Sequence, residues 1–196
     1  LSKKIRKQGV KVGISFFTSK DVNDFKGFNF DFYKIPSAVC DNFQLIDKIK
    51  NKKNIFISLG TKNDQEIMKL RTQYNKILKK KFGVFHCVSN YPLLPINSNL
   101  FYLDKLKKIF KNSYIGYSSH DNNLLIPSLA LGKKLDFIER HVTFDKNAKG
   151  LDHSSSSNFS EIEQLNFLCK NIEKIYFSNQ NNRKIVNQGE LINLQN

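Results

Sequence analysis

Polar side chains able to bind ions or move protons follow the apolar segments of this 196-residue sequence one after another. Hydroxyl groups and lysine ammonium groups bind anions, imidazoles bind metal ions, and carboxylates and imidazoles transfer protons. Such groups end nearly every apolar segment, at Thr18 and Ser19, Lys34 and Ser37, Ser58, His86 and Ser89, Ser118 and His120, and Glu139 and His141. The regular recurrence predicts that the fold collects these side chains at one end of the molecule.

The segment Glu139–Ser157, with the sequence ERHVTFDKNAKGLDHSSSS, is the densest of these clusters. It contains an acid, two histidines, two aspartates and four consecutive serines directly after an apolar run. Two interpretations are open from its composition alone: a solvated polar loop, or the rim of an active site.

The elements that position these side chains are predicted from hydrophobic patterning. Six short apolar runs are continuous instead of alternating, which is typical of parallel strands buried on both faces. They are Val10–Phe17, Phe30–Ile35, Asn54–Gly60, Phe82–Val88, Tyr114–Ser118 and Leu135–Val142. Helical patterns lie between them, with predicted N-caps at Asp41, Asn63 and Ser160, the last two in capping boxes with Glu66 and Glu163.

Alternating strands and helices predict an α/β fold with a parallel sheet. Polar groups at the ends of many strands favour a (β/α)8 TIM barrel, because an open sheet would concentrate them at one switch point. Six strands are two fewer than a barrel needs, so we expect an incomplete barrel with about six of eight βα units and the first two units before Leu1. Residues 1–178 are predicted to form this barrel domain and residues 179–196 a polar tail.

Composition and the lengths of the apolar runs give three further expectations. The net charge of +15 raises the possibility of a nucleic-acid partner. However, the lysines are spread along the chain in short pieces, which favours solvated surfaces. The three cysteines lack disulfide or zinc spacing, which indicates reduced thiols and a cytoplasmic location. No apolar stretch approaches the length of a membrane span, so we expect no membrane association.

Four motifs at the predicted strand ends carry a resemblance to a known family. They are YKIPS, HCVSNYP, IGYSSH and ERHVTFDKNAKGLDHSSS, in this order between about Val12 and Tyr176. Together they resemble the N-acetylneuraminate (sialic acid) synthase family, without its C-terminal antifreeze-like domain. The resemblance implies condensation of phosphoenolpyruvate with an N-acetylated hexosamine, such as N-acetylmannosamine, to give a nonulosonic acid and phosphate.

The resemblance also implies roles for individual residues. Lys34, Ser37 and Ser118 match positions that hold phosphoenolpyruvate, and Ser89 matches a position that is Asn or Ser in the family. His120 and His141 match the pair that holds a divalent ion, Mn²⁺ or Mg²⁺, which polarises the sugar aldehyde as a Lewis acid. The remaining matches, at or near the sugar and the metal, are Tyr91, Glu139 and Asp152. Of these residues, Lys34, Tyr91 and Glu139 are the candidate catalytic residues.

Two departures from the family pattern bear on activity. Many members carry an acidic residue that contacts the sugar where this chain has Val39, which leaves the acceptor open. The family's first two strands supply a glutamate and a lysine that this sequence does not contain. We therefore expect the 196-residue chain alone to have no synthase activity.

Alternatives remain open at this stage. They are a different phosphoenolpyruvate–aldose condensing barrel, a basic nucleic-acid-binding module and a non-catalytic remnant of the enzyme. His86 is interpreted as a buried histidine whose ring nitrogens have hydrogen-bond partners. A homodimer is possible, because members of the family that the chain resembles often dimerise.

Overall fold

A computed structural model describes residues 2–177, so the predicted tail at 179–196 lies outside the described residues. Strands and helices alternate along the chain. The strands are β1 (Gly13–Ser15), β2 (Phe32–Ile35), β3 (Ile55–Ser58), β4 (Gly83–Cys87), β5 (Tyr114–Ser119) and β6 (Phe137–Arg140). The helices are α1 (Ser2–Lys7), α2 (Ser19–Asp24), α3 (Phe43–Ile49), α4 (Asp64–Ile77), α5 (Tyr102–Ile109), α6 (Leu125–Leu131) and α7 (Phe159–Phe177).

The six strands form one parallel sheet in sequence order, β1-β2-β3-β4-β5-β6. Each predicted apolar run overlaps one of these strands, so the expected α/β architecture is confirmed. All the strands but β5, which extends one residue further, are shorter than their apolar runs. His120 lies one residue beyond the end of β5, and His141 lies one residue beyond the end of β6.

The sheet is curled into a half-barrel. Neighbouring strands are roughly 4.8 Å apart, so a flat sheet would separate β3 from β6 by about 14 Å. Yet the rings of Phe56 on β3 and Phe137 on β6 lie 4.8 Å apart between centroids. Lys34 on β2 likewise pairs with Glu139 on β6. These contacts across the concave face require strong curvature.

Aromatic rings fill the lower part of the concave face. Phe56 contacts Phe32 and Phe85, with ring centroids 6.0 and 5.7 Å apart. Gly83 makes room for this layer, because a Cβ atom there would lie 2.2 Å from the Phe56 ring. The aromatic layer forms a floor beneath the polar groups at the carboxyl ends of the strands.

The convex face packs against the helices and forms the hydrophobic core. Because side chains alternate across a strand, each strand sends its other side chains outward. These outward residues, which include Ile35, Ile57, Val84 and Ile115, are buried against apolar residues of α3 to α6. The buried helix residues include Leu45, Ile46, Ile67, Leu70, Leu103, Leu106 and Ile126. The core thus holds the strand ends in a fixed arrangement.

Two of the three predicted helix caps are wrong by one or two residues. The capping box of Asn63 and Glu66 at α4 is confirmed. At α3, however, Asn42 caps the helix instead of Asp41, since its side chain accepts from Leu45 N. At α7 the reciprocal bonds join Asn158 and Glu161 instead of Ser160 and Glu163. At both α3 and α7 the true cap is an Asn within two residues of another plausible capping residue, and composition does not separate the two.

The three cysteines are free thiols, with Cys40 and Cys87 buried. Burial raises the pKa of Cys40 to about 11, and it also raises the pKa of Cys87. Within residues 2–177, no helix combines the length and the apolar character that a membrane span requires.

Candidate active site

A lysine, a carboxylate and a hydroxyl meet above the aromatic floor. Lys34 Nζ forms an ion pair with Glu139 Oε1, and Ser118 Oγ donates to the same oxygen at 2.8 Å. Strands β2, β5 and β6 each supply one of these groups from the concave face. The structure therefore brings together three of the predicted site residues, and the Lys34 side chain is only 16% exposed.

A second set of polar groups surrounds Gly60, directly after β3. The Gly60 amide donates to Ser37 Oγ at 3.0 Å, and Ser37 Oγ lies 3.0 Å from Cys87 Sγ. A Cβ atom at Gly60 would lie 2.6 Å from Ser89 Oγ and 2.8 Å from Ser37 Oγ. The missing side chain at Gly60 thus leaves room for two predicted hydroxyls to lie close together, and hydroxyl donors are suited to an anion.

Two residues of this region were not assigned a role from sequence. Ser58 ends β3 with its Oγ buried and without a hydrogen-bond partner among the described residues. Cys87 contacts Ser37, although the sequence indicated only a reduced thiol there. An unpartnered buried hydroxyl is costly unless a ligand or water satisfies it. A strand-end serine facing inward is therefore a signal that could have identified Ser58.

The two predicted metal histidines lie side by side. The ring centroids of His120 and His141 are 5.5 Å apart, and the Tyr91 ring lies 4.2 Å from that of His120. Tyr91 Oη is 3.1 Å from His120 Nε2. The structure therefore groups Tyr91 with both imidazoles at the carboxyl ends of β5 and β6.

The donor atoms of His120 suit a divalent metal ion. Its Nδ1 lies 2.8 Å from the Val88 carbonyl, to which it donates, and this leaves the lone pair on Nε2. Burial lowers the pKa of His120, which favours the neutral ring that metals require. Metal-bound histidines commonly donate their second nitrogen to a backbone carbonyl in this way. Within the described residues, no group of three or more His, Cys, Asp or Glu side chains is arranged for a metal ion. The protein ligands of an ion here would be the two imidazoles.

Asp152 is exposed and acts electrostatically on Tyr91 of this group. Desolvation is the main cause that raises the pKa of Tyr91, and the charges of Cys87, Asp152 and Glu139 act in the same direction. Asp152 therefore lies close enough to Tyr91 to influence it, although no side-chain hydrogen bond joins them among the bonds described.

The segment Glu139–Ser157 is more ordered than a solvated loop. Ser157 N donates to the His141 carbonyl at 2.9 Å, and Thr143 N donates to the Ser157 carbonyl at 3.0 Å. Val142 and Ser157 thereby form a parallel bridge. Ser155, Ser156 and Ser157 are buried, so the serine run is packed against the protein instead of being solvated.

Three other candidate residues have structural roles. Thr18 caps α2 in a capping box with Asp21. His86 is buried on the convex face with Nε2 at 3.0 Å from the Ser98 carbonyl. Val39, at the position of the missing acid, packs partly buried against the hydrophobic core.

A parallel α/β half-barrel with polar groups and paired imidazoles at the carboxyl ends of its strands is consistent with part of a TIM-like barrel. The sequence profile of the NeuB family matches residues 1–181. The chain therefore belongs to the NeuB family.

Individual relatives agree with this assignment. The chain is 32% identical over 170 residues to an N-acetylneuraminate-9-phosphate synthase of Mus musculus. This match covers 83% of the chain and 46% of the relative. It is 35% identical over 147 residues to an N,N'-diacetyllegionaminic acid synthase of Campylobacter jejuni, covering 73% of this chain and 42% of the relative. The chain spans about half the length of the curated relatives it matches.

A solved structure shows the same fold. The crystal structure of an N-acetylneuraminic acid (sialic acid) synthetase from Leptospira borgpetersenii, in complex with citrate, superposes with a TM-score of 0.85 at 26% identity. The match covers 99% of this chain and 67% of that protein.

Proposed function

We propose that the chain forms six of the eight units of a barrel that condenses phosphoenolpyruvate with an N-acetylated hexosamine. The products are a nonulosonic acid and phosphate. The observation that carries this proposal is the convergence of Lys34, Ser37, Ser89 and Ser118 beside His120 and His141 at one edge of the sheet. Family membership supports it, since the named relatives are synthases of N-acetylneuraminate-9-phosphate and of N,N'-diacetyllegionaminic acid.

Lys34 and the hydroxyls are suited to the two anionic groups of phosphoenolpyruvate. Charge-assisted hydrogen bonds from an ammonium group and several hydroxyls bind phosphate and carboxylate strongly. The Lys34 ammonium is partly buried, so its charge is screened less than that of a surface lysine. Ser58, whose buried hydroxyl has no hydrogen-bond partner in the described part of the chain, adds a further donor for this anion.

The acceptor end of the site contains Tyr91, Glu139 and Asp152 beside the imidazoles. His120 Nε2 and the His141 ring would hold Mn²⁺ or Mg²⁺, which when bound supplies Lewis-acid polarisation of the sugar carbonyl. Tyr91 and Asp152 would orient the sugar, and Glu139 would stabilise positive charge that develops on the enol carbon. Val39 leaves the acceptor open, so we propose N-acetylmannosamine or a related acetamido sugar.

A ³¹P NMR titration tests this function, because the resonances of phosphoenolpyruvate and inorganic phosphate are distinct. With Mg²⁺ present, phosphoenolpyruvate should show a saturable shift with the wild-type chain and none with Lys34→Ala. Lys105→Ala is the matched control, since Lys105 is a half-exposed lysine that pairs with Asp64 on the outer helices. Absence of saturable binding by the wild type would exclude the proposed site. Adding N-acetylmannosamine to the same sample tests the expectation that this chain alone releases no phosphate.

A further inference from the structure

A buried ion pair lies behind the two candidate metal histidines. The side chains of Arg140 and Asp121 are 2% and 1% exposed, and Arg140 Nη1 lies 3.0 Å from Asp121 Oδ1. Side chains alternate across a strand, so Arg140 projects from the convex face of β6 while its neighbours Glu139 and His141 serve the concave site. The ion pair and the imidazoles therefore lie on opposite sides of the same strand ends.

The backbone ladder between β5 and β6 stops just before the histidines. Its last pair is Ser119 with Arg140, so His120 and His141 are the first residues beyond it. Beyond this last pair, hydrogen bonds of the Arg140 guanidinium join the two strand ends. Its Nη1 donates to Ser119 Oγ and to the Asp121 carbonyl, both at 2.9 Å, and to Asp121 Oδ1 at 3.0 Å. These three acceptors belong to the residues on either side of His120.

The same guanidinium also connects to His141. Arg140 Nε donates to Ser157 Oγ at 3.0 Å, and Ser157 N donates to the His141 carbonyl at 2.9 Å. Arg140 is in addition the covalent neighbour of His141. One side chain thus contacts both residues that flank His120 and, through Ser157, the backbone at His141, just beyond the last pair of the β5–β6 ladder.

A purely stabilising role explains this pair less well. Replacing a buried ion pair with apolar residues of similar volume is often neutral or stabilising, because two desolvated charges offset much of their attraction. Here Arg140 Nη2 and Asp121 Oδ2 are buried and have no hydrogen-bond partner among residues 2–177, which weakens the pair further as a source of stability. What an apolar pair could not reproduce is the fork of hydrogen bonds to the backbone and hydroxyls around His120 and His141.

We propose that Arg140 and Asp121 are positioning residues, which hold the backbone of His120 and His141 in register so that both imidazoles bind one divalent metal ion. The inference rests on the proposed function, because that function includes a metal ion at this histidine pair. It adds a pair of residues on the opposite face of the sheet that sets the affinity of the site.

Mn²⁺ binding to the full 196-residue chain, followed by the EPR signal of free Mn²⁺, tests the proposal without requiring turnover. The main variant is Asp121→Leu/Arg140→Met, in which an apolar pair keeps the volume and avoids an unpaired buried charge. We expect its melting temperature to stay near that of the wild type while its Mn²⁺ dissociation constant rises about 10-fold or more, as for other outer residues of metal sites. Arg140→Lys should also weaken binding, because an ammonium group keeps the charge but cannot span the same acceptors.

Asp136→Ala is the matched control. Asp136 Oδ2 accepts from Ile115 N at 2.8 Å, so it joins the same two strands at the end away from the histidines. This variant should lower stability and leave Mn²⁺ affinity unchanged.

Three outcomes would overturn the proposal. Mn²⁺ affinity could stay at the wild-type level in both Asp121→Leu/Arg140→Met and Arg140→Lys. It could fall equally in Asp136→Ala, which would make the effect one of general stability. If the wild type itself bound no Mn²⁺, the metal part of the proposed function would fail as well. The wild-type titration therefore separates failure of that function from failure of the positioning role alone.

Discussion

Lys34 and Glu139 are 105 residues apart in the sequence, and their side chains form an ion pair across the concave face of the half-barrel. Ser118 donates to the same carboxylate oxygen. The Lys34 ammonium is the cation proposed to bind phosphoenolpyruvate, so Glu139 occupies the place that an anionic ligand would take. Binding therefore requires the ligand to compete with a carboxylate of the protein itself.

Glu139→Gln should bind phosphoenolpyruvate more tightly than the wild type. The amide removes the competing charge but keeps the size of the side chain, and we expect affinity to rise about threefold, near 0.6 kcal/mol, within the range for partly exposed ion pairs. Isothermal titration calorimetry measures this change. Glu163→Gln on the exposed face of α7 is the control, and equal or weaker binding by Glu139→Gln would contradict the competition.

Gly60→Ala should weaken phosphoenolpyruvate binding at least tenfold. The added Cβ would lie 2.6 Å from Ser89 Oγ, 2.8 Å from Ser37 Oγ and 2.9 Å from Cys87 Sγ, so the hydroxyls must move apart. Overpacking of this kind costs about 1–3 kcal/mol. The same calorimetric titration applies, with Gly27→Ala as the control because nothing lies within 4 Å of a Cβ there. Unchanged affinity in Gly60→Ala would mean that these hydroxyls do not form the anion site.

Folding stability should fall as the pH is lowered from 7 to 5. Burial lowers the pKa of His86 in the folded protein, whereas the unfolded chain has an ordinary histidine pKa of about 6.5. Below that value the unfolded state binds more protons, so stability is lost as pH falls toward the folded pKa. Burial of His120 acts in the same direction. Urea unfolding of the wild type and His86→Gln measures the slope, which should be smaller in the variant; an identical slope would refute the contribution of His86.

Asn158→Ala should destabilise the protein by about 1 kcal/mol, the usual effect of losing an N-cap. Asn158 and Glu161 exchange reciprocal hydrogen bonds at the start of α7. Ser160→Ala should change the free energy of unfolding by less than about 0.5 kcal/mol, as for exposed positions. Urea unfolding compares the two variants, and a larger effect at Ser160 would restore the cap expected from sequence.

The sequence predicts the sheet well because apolar runs such as Phe82–Val88 mark strands buried on both faces. It predicts the candidate site because strand-end residues such as Lys34 and His120 must meet at one edge of a parallel sheet. The ends of strands and helices are predicted less accurately. The last residue of a strand and the cap of a helix depend on local hydrogen bonds, as the choice of Asn158 over Ser160 shows.

Residues that act from the other face of the sheet escape this reasoning. Arg140 is an ordinary basic residue in the sequence, and only the pairing of Ser119 with Arg140 shows that its side chain lies next to the end of the ladder. Ser157 is one of four identical serines, and its bond to the His141 carbonyl depends on a loop that returns to the sheet. Such contacts depend on tertiary packing that no local pattern encodes.

Hydrogen–deuterium exchange of the full chain, with and without phosphoenolpyruvate and Mg²⁺, tests most directly where the ligand binds. Exchange should slow in residues 36–40, 59–62, 88–91 and 118–121, at the carboxyl ends of the strands. The opposite end offers a competing basic cavity of about 450 Å³ lined by Lys11, Lys52 and Lys53. Protection confined to residues 11–13, 29–31 and 51–54 would place the anion there and contradict the proposed active site.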